Sequence, residues 1–118
     1  MALSSVLNSE RIAALMELDD DGSDFFADLV EMYLEEFEST RAAMREALDA
    51  GDHRAVSSAA HRVKGSSGNI GADRMAELCS DLEAAANAPE MTNGPELFSR
   101  IENHVPELLA ALGKYRAR

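Results

Sequence analysis

Apolar residues recur every three or four positions along most of this 118-residue chain, which is the period of an amphipathic α-helix. Five segments carry the pattern, at about residues 9–18, 24–50, 53–69, 73–87 and 95–112. Val, Ile and aromatic residues, which favour strands, are scarce beside Ala, Leu, Glu and Met. The chain is therefore predicted to be all-α.

Residues with strong end preferences mark most of the predicted helix boundaries. Ser23 is predicted to cap the second helix, Gly51 to end it and Asp52 to cap the third. Pro95 suits the first turn of the last helix. Pro106 lies inside that helix, and we expect it to bend or split the helix because proline removes a backbone hydrogen bond.

The apolar stripes of the five helices predict which side chains form the core. Cys79 lies on one of these stripes, so it is expected to be a core residue and not a nucleophile. In chain order the stripes consist of Ile12, Leu15, Met16 and Leu18; Phe25, Phe26, Leu29, Val30, Tyr33, Leu34, Phe37, Met44 and Leu48; Val56, Ala60, Val63, Ser67 and Ile70; Met75, Leu78, Cys79 and Leu82; and Leu97, Phe98, Ile101, Val105, Leu108, Leu109 and Leu112.

The lengths of the helices and of their connections predict the architecture. Helices two to five are long and joined by short connections, so they should form an antiparallel up-down four-helix bundle. The first helix is too short to be a full member and should cover one end. No repeat or linker divides the chain, so residues 1–118 are expected to form one domain.

Composition narrows the class of protein. Apolar residues make up 46% of the chain, which excludes a disordered protein. The formal charge of −11 argues against general binding to nucleic acid or to an anionic membrane. The single cysteine excludes an internal disulfide framework. With neither a signal peptide nor an apolar run of roughly 20 residues, the sequence predicts a cytoplasmic domain, which we expect to be monomeric.

Metal and nucleotide sites are not expected. Residues 17–28 partly resemble a calcium-binding loop, but Asp24 stands where that loop has an apolar residue and Asp28 where it has a Glu. His53 and His61 are eight residues apart in one helix, roughly 12 Å along its axis, which is too far to share an ion. The glycine-rich stretch that follows lacks the order of a phosphate-binding loop. We therefore predict no metal and no cofactor for this chain.

The stretch AAHRVKGSSGNIGA, residues 59–72, contradicts helix propensity. Gly65 and Gly68 each cost a helix roughly 1 kcal/mol relative to alanine, and such a contradiction often marks a functional site. On a helical wheel His61 falls opposite the apolar face, together with Lys64 and both glycines. The glycines remove side-chain cover from the imidazole, so another protein could approach it. The alternative is an ordinary exposed histidine beside glycines that ease packing.

The segment HRVKGSSGNIGADRMAELCSDLE, residues 61–83, resembles the signature of histidine-containing phosphotransfer (HPt) domains. Methionine at position 75 is a mild departure, since leucine is commoner there. The helix pattern extends the resemblance to the whole chain. The residues that match at the family's spacing are His61, Lys64, Gly65, Ser66, Gly71, Ala72, Met75, Cys79, Leu82 and Glu83.

The resemblance implies a fold and a function. It implies a four-helix bundle in which His61 accepts a phosphoryl group from an aspartyl phosphate on a receiver domain and passes the group to another receiver domain. The implied partners are response-regulator receiver domains, a hybrid histidine kinase, or both. Such a carrier has no kinase activity of its own and is not an enzyme. Mg²⁺ would belong to the partner receiver domain.

The charges around His61 suit a partner of this kind. Residues 51–75 contain four basic and two acidic residues, although the whole chain is strongly acidic. Lys64, one helical turn after His61, can neutralise phosphate oxygens. A basic patch would attract an acidic receiver pocket, although chance clustering would give the same count. The residues predicted to contact the phosphate or the partner are Lys64, Gly65, Gly68 and Arg62, and the other basic residues of the segment are Arg54 and Arg74.

Geometry also points to Glu83. If helices three and four form an antiparallel hairpin that turns near Gly71 and Ala72, facing residues have numbers that sum to about 143 or 144, so Glu83 lies level with His61. A carboxylate there could accept a hydrogen bond from one imidazole nitrogen and leave the other free as a nucleophile. The alternative is a surface acid in a helix rich in acids.

Two other functions remain open from the sequence. The chain could be a helical scaffold that binds a partner without phosphate chemistry. It could also be the dimerisation and phosphoacceptor region of a sensor kinase, although such a histidine is typically followed by an acidic residue and here Arg62 follows. A starting methionine favours a free-standing protein over a piece of a hybrid kinase.

Overall fold

The computed structural model describes residues 5–19, 24–91 and 93–116, and these residues contain five helices and no strand. The four longer helices begin and end within one residue of their predicted bounds. The first ends at Met16, two residues earlier than predicted. The helices are α1 (Ser9–Met16), α2 (Phe25–Ala50), α3 (His53–Ile70), α4 (Asp73–Asn87) and α5 (Gly94–Gly113).

The predicted four-helix bundle is confirmed. Each long helix packs on two neighbours, α3 on α2 and α4, and α5 on α4 and α2, and within the described ranges the backbones of the diagonal pairs do not approach closely. The short helix α1 covers the turn between α3 and α4, as expected. The backbone N–H of Asn8 donates to the carbonyl of Gly71 at 2.7 Å, and Nε of Arg11 donates to the carbonyl of Asn69 at 3.1 Å.

Two predicted helix ends are confirmed: Gly51 ends α2, and Asp52 caps α3. Asp52 caps α3, because its side chain accepts a hydrogen bond from the backbone N–H of Ala55 at 3.1 Å. Ser23, the predicted cap of α2, lies outside the described residues. The carboxylate of Asp19 accepts a hydrogen bond from the backbone N–H of Phe26 at 2.8 Å, so an acid that precedes the helix stabilises its first turn.

Pro106 does not split α5, which runs without interruption from Gly94 to Gly113. Proline removes one backbone hydrogen bond and crowds the preceding turn, at a cost of roughly 3 kcal/mol. Buried side chains on both sides of it, including Ile101 and Leu108, anchor the helix on the bundle and offset that cost.

The core contains most of the predicted stripe residues, including the complete inner face predicted for α3. Ser67 is the polar member of that face, and its hydroxyl lies 2.6 Å from the hydroxyl of Tyr33 on α2, so the two buried groups satisfy each other. The prediction is wrong for four residues at helix ends or stripe edges, where no neighbouring helix covers them. These exposed residues are Met16, Leu18, Phe25 and Leu109.

Candidate functional site

His61 lies near the middle of α3, on the face turned away from the core. Its side chain is 72% exposed, whereas Ala60 and Val63 beside it are buried. The apolar residues of α3 recur at helical spacing and turn one face inward, so the imidazole is directed outward. The predicted exposure of His61 is therefore confirmed.

A carboxylate from α4 holds both polar side chains of this face. Oε2 of Glu83 lies 2.9 Å from Nδ1 of His61, and Oε1 lies 3.5 Å from Nζ of Lys64. An ionised carboxylate only accepts hydrogen bonds, so Nδ1 carries a hydrogen and donates a hydrogen bond to Glu83. In the neutral imidazole, Nε2 is then the nitrogen with a free lone pair. The predicted contact between Glu83 and His61 is confirmed.

A second pair fixes the same alignment one turn away. The hydroxyl of Ser57 donates to the amide oxygen of Asn87 at 2.9 Å. Ser57 precedes His61 by four residues and Asn87 follows Glu83 by four, so both pairs join facing positions of an antiparallel hairpin. The contact between Ser57 and Asn87 was not predicted, although the same sum rule that indicated Glu83 applies to this pair.

Gly65 and Gly68 leave open space beside the imidazole. A Cβ atom built at either position meets no other atom within 4 Å, apart from chain neighbours and the local helix backbone. Packing inside this chain therefore does not require a glycine at either place. That another molecule reaches His61 over this bare backbone stays a prediction.

The predicted basic residues separate into different parts of the surface. Lys64 lies on the α4 side of His61, where it reaches Glu83. Arg62 is exposed on the other side, toward α2, where it borders a shallow hollow with Thr40. Arg74 is not part of the His61 face: it forms an ion pair with Glu107 of α5 at 3.3 Å.

Cys79 is buried in the core, as predicted. Burial raises the pKa of its thiol to about 12, because an apolar environment disfavours the thiolate. The thiol therefore stays protonated at neutral pH and is a poor nucleophile or metal ligand.

The described residues contain neither a helix suited to cross a membrane nor a cluster suited to hold a metal ion. Over residues 5–19, 24–91 and 93–116, no helix combines the length and apolar character that a membrane crossing requires. No three His, Cys, Asp or Glu side chains in these ranges are placed to hold a metal ion. It stays a prediction that the protein has no cofactor, does not bind nucleic acid and does not associate with itself.

The chain resembles proteins of a known family. The model of the Hpt domain matches residues 28–113, which include α3, α4 and α5 completely and most of α2. The chain belongs to the Hpt domain family. The crystal structure of histidine-containing phosphotransfer protein B (HptB) from Pseudomonas aeruginosa superposes with a TM-score of 0.84 at 27% identity, over 94% of each chain. This likeness extends the family match to the whole bundle.

Two curated relatives have similar sequences. The chain is 37% identical over 70 residues, 58% of its length, to multistep phosphorelay regulator 1 of Schizosaccharomyces pombe. It is 31% identical over 83 residues, 67% of its length, to histidine-containing phosphotransfer protein 2 of Arabidopsis thaliana. The matched segments span 24% of the first relative and 53% of the second.

Proposed function

We propose that this Hpt protein is the phosphoryl carrier of a two-component phosphorelay, with His61 as the phosphoacceptor. One observation carries the proposal: the imidazole is exposed, and the hydrogen bond to Glu83 holds the proton on Nδ1. This leaves the lone pair of Nε2 directed away from the carboxylate. Family membership supports the same role.

The transfer uses an aspartyl phosphate of a receiver domain as donor. Nε2 of His61 attacks the phosphorus in line, an N–P bond forms, and the P–O bond to the aspartyl oxygen breaks. The aspartate carboxylate leaves with the bonding electrons. The imidazole gains positive charge and keeps its Nδ1 proton, and the hydrogen bond to the carboxylate of Glu83 stabilises that charge. Attack on phosphorus by an aspartate of a second receiver reverses these bond changes.

Lys64 and the glycines assist without taking part in bond changes. Phosphoryl transfer depends mainly on positioning and on charge neutralisation. Lys64 is exposed and lies one turn after His61, so its ammonium group can approach the phosphate oxygens. The chain supplies no kinase activity, and the Mg²⁺ that phosphoryl transfer requires is held by the receiver domain.

The partners proposed for this carrier are response-regulator receiver domains and a hybrid histidine kinase that contains such a domain. The open backbone at Gly65 and Gly68 lets a receiver bring its aspartate to bonding distance of Nε2. Arg62 adds a positive charge on the α2 side of the same face.

A transfer assay tests the proposal. Receiver domains from the source genome are phosphorylated with radiolabelled phosphoramidate in the presence of Mg²⁺, freed of the donor and mixed with the carrier. We expect at least one receiver to pass label to the parent chain and to His53→Gln, and none to pass label to His61→Gln. If a folded His61→Gln variant still accepts label from a receiver, the assignment of His61 as the phosphoacceptor is wrong. Stable binding of receivers without any transfer would support the scaffold function instead.

A further inference from the structure

A hollow of about 470 Å³, lined mostly by polar residues, lies beside His61, on the side toward the start of α3. Side chains of α3 and α4 form its walls, and His61 and Glu83 form one end. Arg54 borders it from α3, together with the hydrogen-bonded pair Ser57 and Asn87. Its polar lining and its contact with His61 distinguish it from the hollow between α2 and α3 near Met32, which is mainly apolar.

Arg54 is aligned with His61 on the surface of α3. The two residues are seven positions apart, which corresponds to about 700° of helical rotation, or 20° short of two full turns. Their backbones are therefore on one face, about 10 Å apart along the axis. The hollow lies beside the imidazole, and Arg54 borders it two helical turns from His61. Arg54 therefore lies beside the reacting nitrogen's surroundings and not where the N–P bond forms.

The charge of Arg54 has no partner inside the described part of this chain. Most other arginines described by the structure bind carboxylates, and Arg11 binds a backbone carbonyl. Among the described residues, Arg62 is the other arginine without such a partner. Exposed carboxylates are abundant in a chain of 22 acidic residues. An unpaired arginine in such a chain is available to a ligand.

Helix stability does not explain a cation at this position. Arg54 is the second residue of α3, whose first turn contains no acidic side chain. The N-terminus of a helix carries a partial positive charge, so a cation there is less favourable than an anion. The carboxylate of the cap residue Asp52 is bound to the backbone N–H of Ala55, so the guanidinium of Arg54 stands without an ion-pair partner among the described residues at the edge of the hollow.

Asn87 adds a hydrogen-bond donor to the same hollow. Its amide oxygen already accepts from the hydroxyl of Ser57 at 2.9 Å, so its amide N–H groups remain to bind another group. A guanidinium and an amide N–H donor together match a carboxylate, which accepts hydrogen bonds on both oxygens.

We propose that the hollow beside His61 binds a carboxylate side chain on the docking surface of the receiver domain, with Arg54 as the residue that determines partner affinity. The inference rests on the proposed function, since the receiver is the partner that it requires. A receiver active site that binds Mg²⁺ contains carboxylates, so its surroundings are acidic. Complementary charges at such a rim raise the association rate and favour the correct partner.

The test compares three variants with the receiver that labels the parent chain fastest. Arg54→Ala removes the charge, Arg54→Glu reverses it, and Arg100→Ala is the matched control. Arg100 is exposed on α5, pairs only within its own helix through Glu96, and loses the same single charge. Circular dichroism shows that each variant is folded.

We expect transfer at receiver concentrations below saturation to slow about fivefold in Arg54→Ala and further in Arg54→Glu, with Arg100→Ala at the parent rate. The differences should shrink at an ionic strength of about 0.5 M, because salt screens exposed charges. Direct chemical phosphorylation of His61 by phosphoramidate, with no receiver present, should be equal in all four proteins.

Several outcomes would overturn the inference. If Arg54→Ala and Arg54→Glu accept phosphoryl groups at the rate of Arg100→Ala, Arg54 is not part of the docking surface. An equal loss in the phosphoramidate reaction would place the effect on His61 itself and not on the partner. If the parent chain takes no label from any receiver, the proposed function fails, and this inference fails with it.

Discussion

Nδ1 of His61 and Oε2 of Glu83 lie 2.9 Å apart although 22 residues separate them in the chain. The antiparallel pairing of α3 and α4 creates this contact, and the pair Ser57 and Asn87 repeats it one turn away at 2.9 Å. The tautomer of the imidazole is therefore set by the neighbouring helix and not by residues adjacent in sequence.

Removal of the Glu83 carboxylate should release the imidazole. In Glu83→Ala, Nδ1 of His61 loses its acceptor, so the ring populates both tautomers and rotates more freely. We expect transfer from a receiver to slow about tenfold, which corresponds to one charge-assisted hydrogen bond of about 1.4 kcal/mol. Nitrogen NMR shifts of the imidazole report the tautomers. Asp81→Ala, an exposed acid on the same helix, is the control. An unchanged tautomer ratio and rate would exclude Glu83 from the site.

Substitution of Gly65 should separate stability from transfer. A Cβ at this position meets no neighbouring atom within 4 Å, so Gly65→Ala is expected to raise the free energy of unfolding by up to about 1 kcal/mol. Gly65→Leu should also fold, but its side chain blocks the approach to His61 and should slow transfer. Denaturation and transfer assays measure the two effects. Ala110→Leu, which adds a leucine side chain at an exposed position of α5, is the control. Normal transfer by Gly65→Leu would show that access does not depend on this glycine.

His104 should make the bundle less stable as the pH falls below about 6.5. Burial lowers the pKa of its imidazole, Arg74 lowers it further, and Glu107, 3.4 Å from Nδ1, opposes this. In the unfolded chain the imidazole of His104 has its ordinary pKa near 6.5. As the pH falls below this value, the unfolded chain binds a proton on His104 more readily than the folded chain does. Stability contributed by the neutral imidazole is present above that value and decreases as the pH falls toward the folded pKa.

Replacement of His104 tests this explanation. Its Nε2 atom is buried without a hydrogen-bond partner in the described structure, and such an atom costs roughly 1 to 3 kcal/mol. His104→Leu should therefore raise the free energy of unfolding by about 1 kcal/mol at pH near 6 and flatten its dependence between about pH 5 and 7. Urea denaturation across this range measures both. A His104→Leu variant with the slope of the parent would assign the pH dependence to other groups.

Gly51 and Gly71 offer a matched pair of helix ends. Both have positive φ, 67° and 87°, so alanine strains the backbone at each. A Cβ at Gly51 meets nothing, whereas a Cβ at Gly71 lies 3.3 Å from Ile12 and 3.4 Å from Arg11 of α1. We expect Gly51→Ala to cost about 1 kcal/mol and Gly71→Ala to cost more, because α1 must move. Equal losses in thermal unfolding would show that α1 adapts freely.

Local patterns were sufficient for most of the fold. Helical period, turn residues and short connections predicted the four long helices and their arrangement, because these features depend on residues close in sequence. His104 shows where this fails. It lies three residues after Ile101 and four before Leu108, on the buried stripe, yet its polar side chain kept it out of the predicted core. Leu109 lies at the edge of that stripe and is exposed, since burial depends on the neighbouring helices.

Predictions for the site depended on geometry as well as on motif. The hairpin sum rule placed Glu83 opposite His61, because antiparallel helices joined by a tight turn leave little freedom in alignment. The contact between Tyr33 and Ser67 was not predicted, since it joins separate helices through side-chain packing that no local spacing encodes. The position of Arg74 was missed for the same reason: its partner Glu107 belongs to α5.

Under the proposed function, the exposed face around His61 limits how a relay through this protein can proceed. α4 closes one flank of the imidazole, and the bare backbone of Gly65 and Gly68 is the opening beside it. A donor and an acceptor must then occupy the same opening in turn, so the loaded carrier has to dissociate before it can deliver. With an association rate near 10⁶ M⁻¹s⁻¹, a Kd of about 1 μM releases a partner in roughly one second, and a Kd of about 1 nM would hold it for many minutes. Very tight binding to either receiver would therefore stall the exchange of partners.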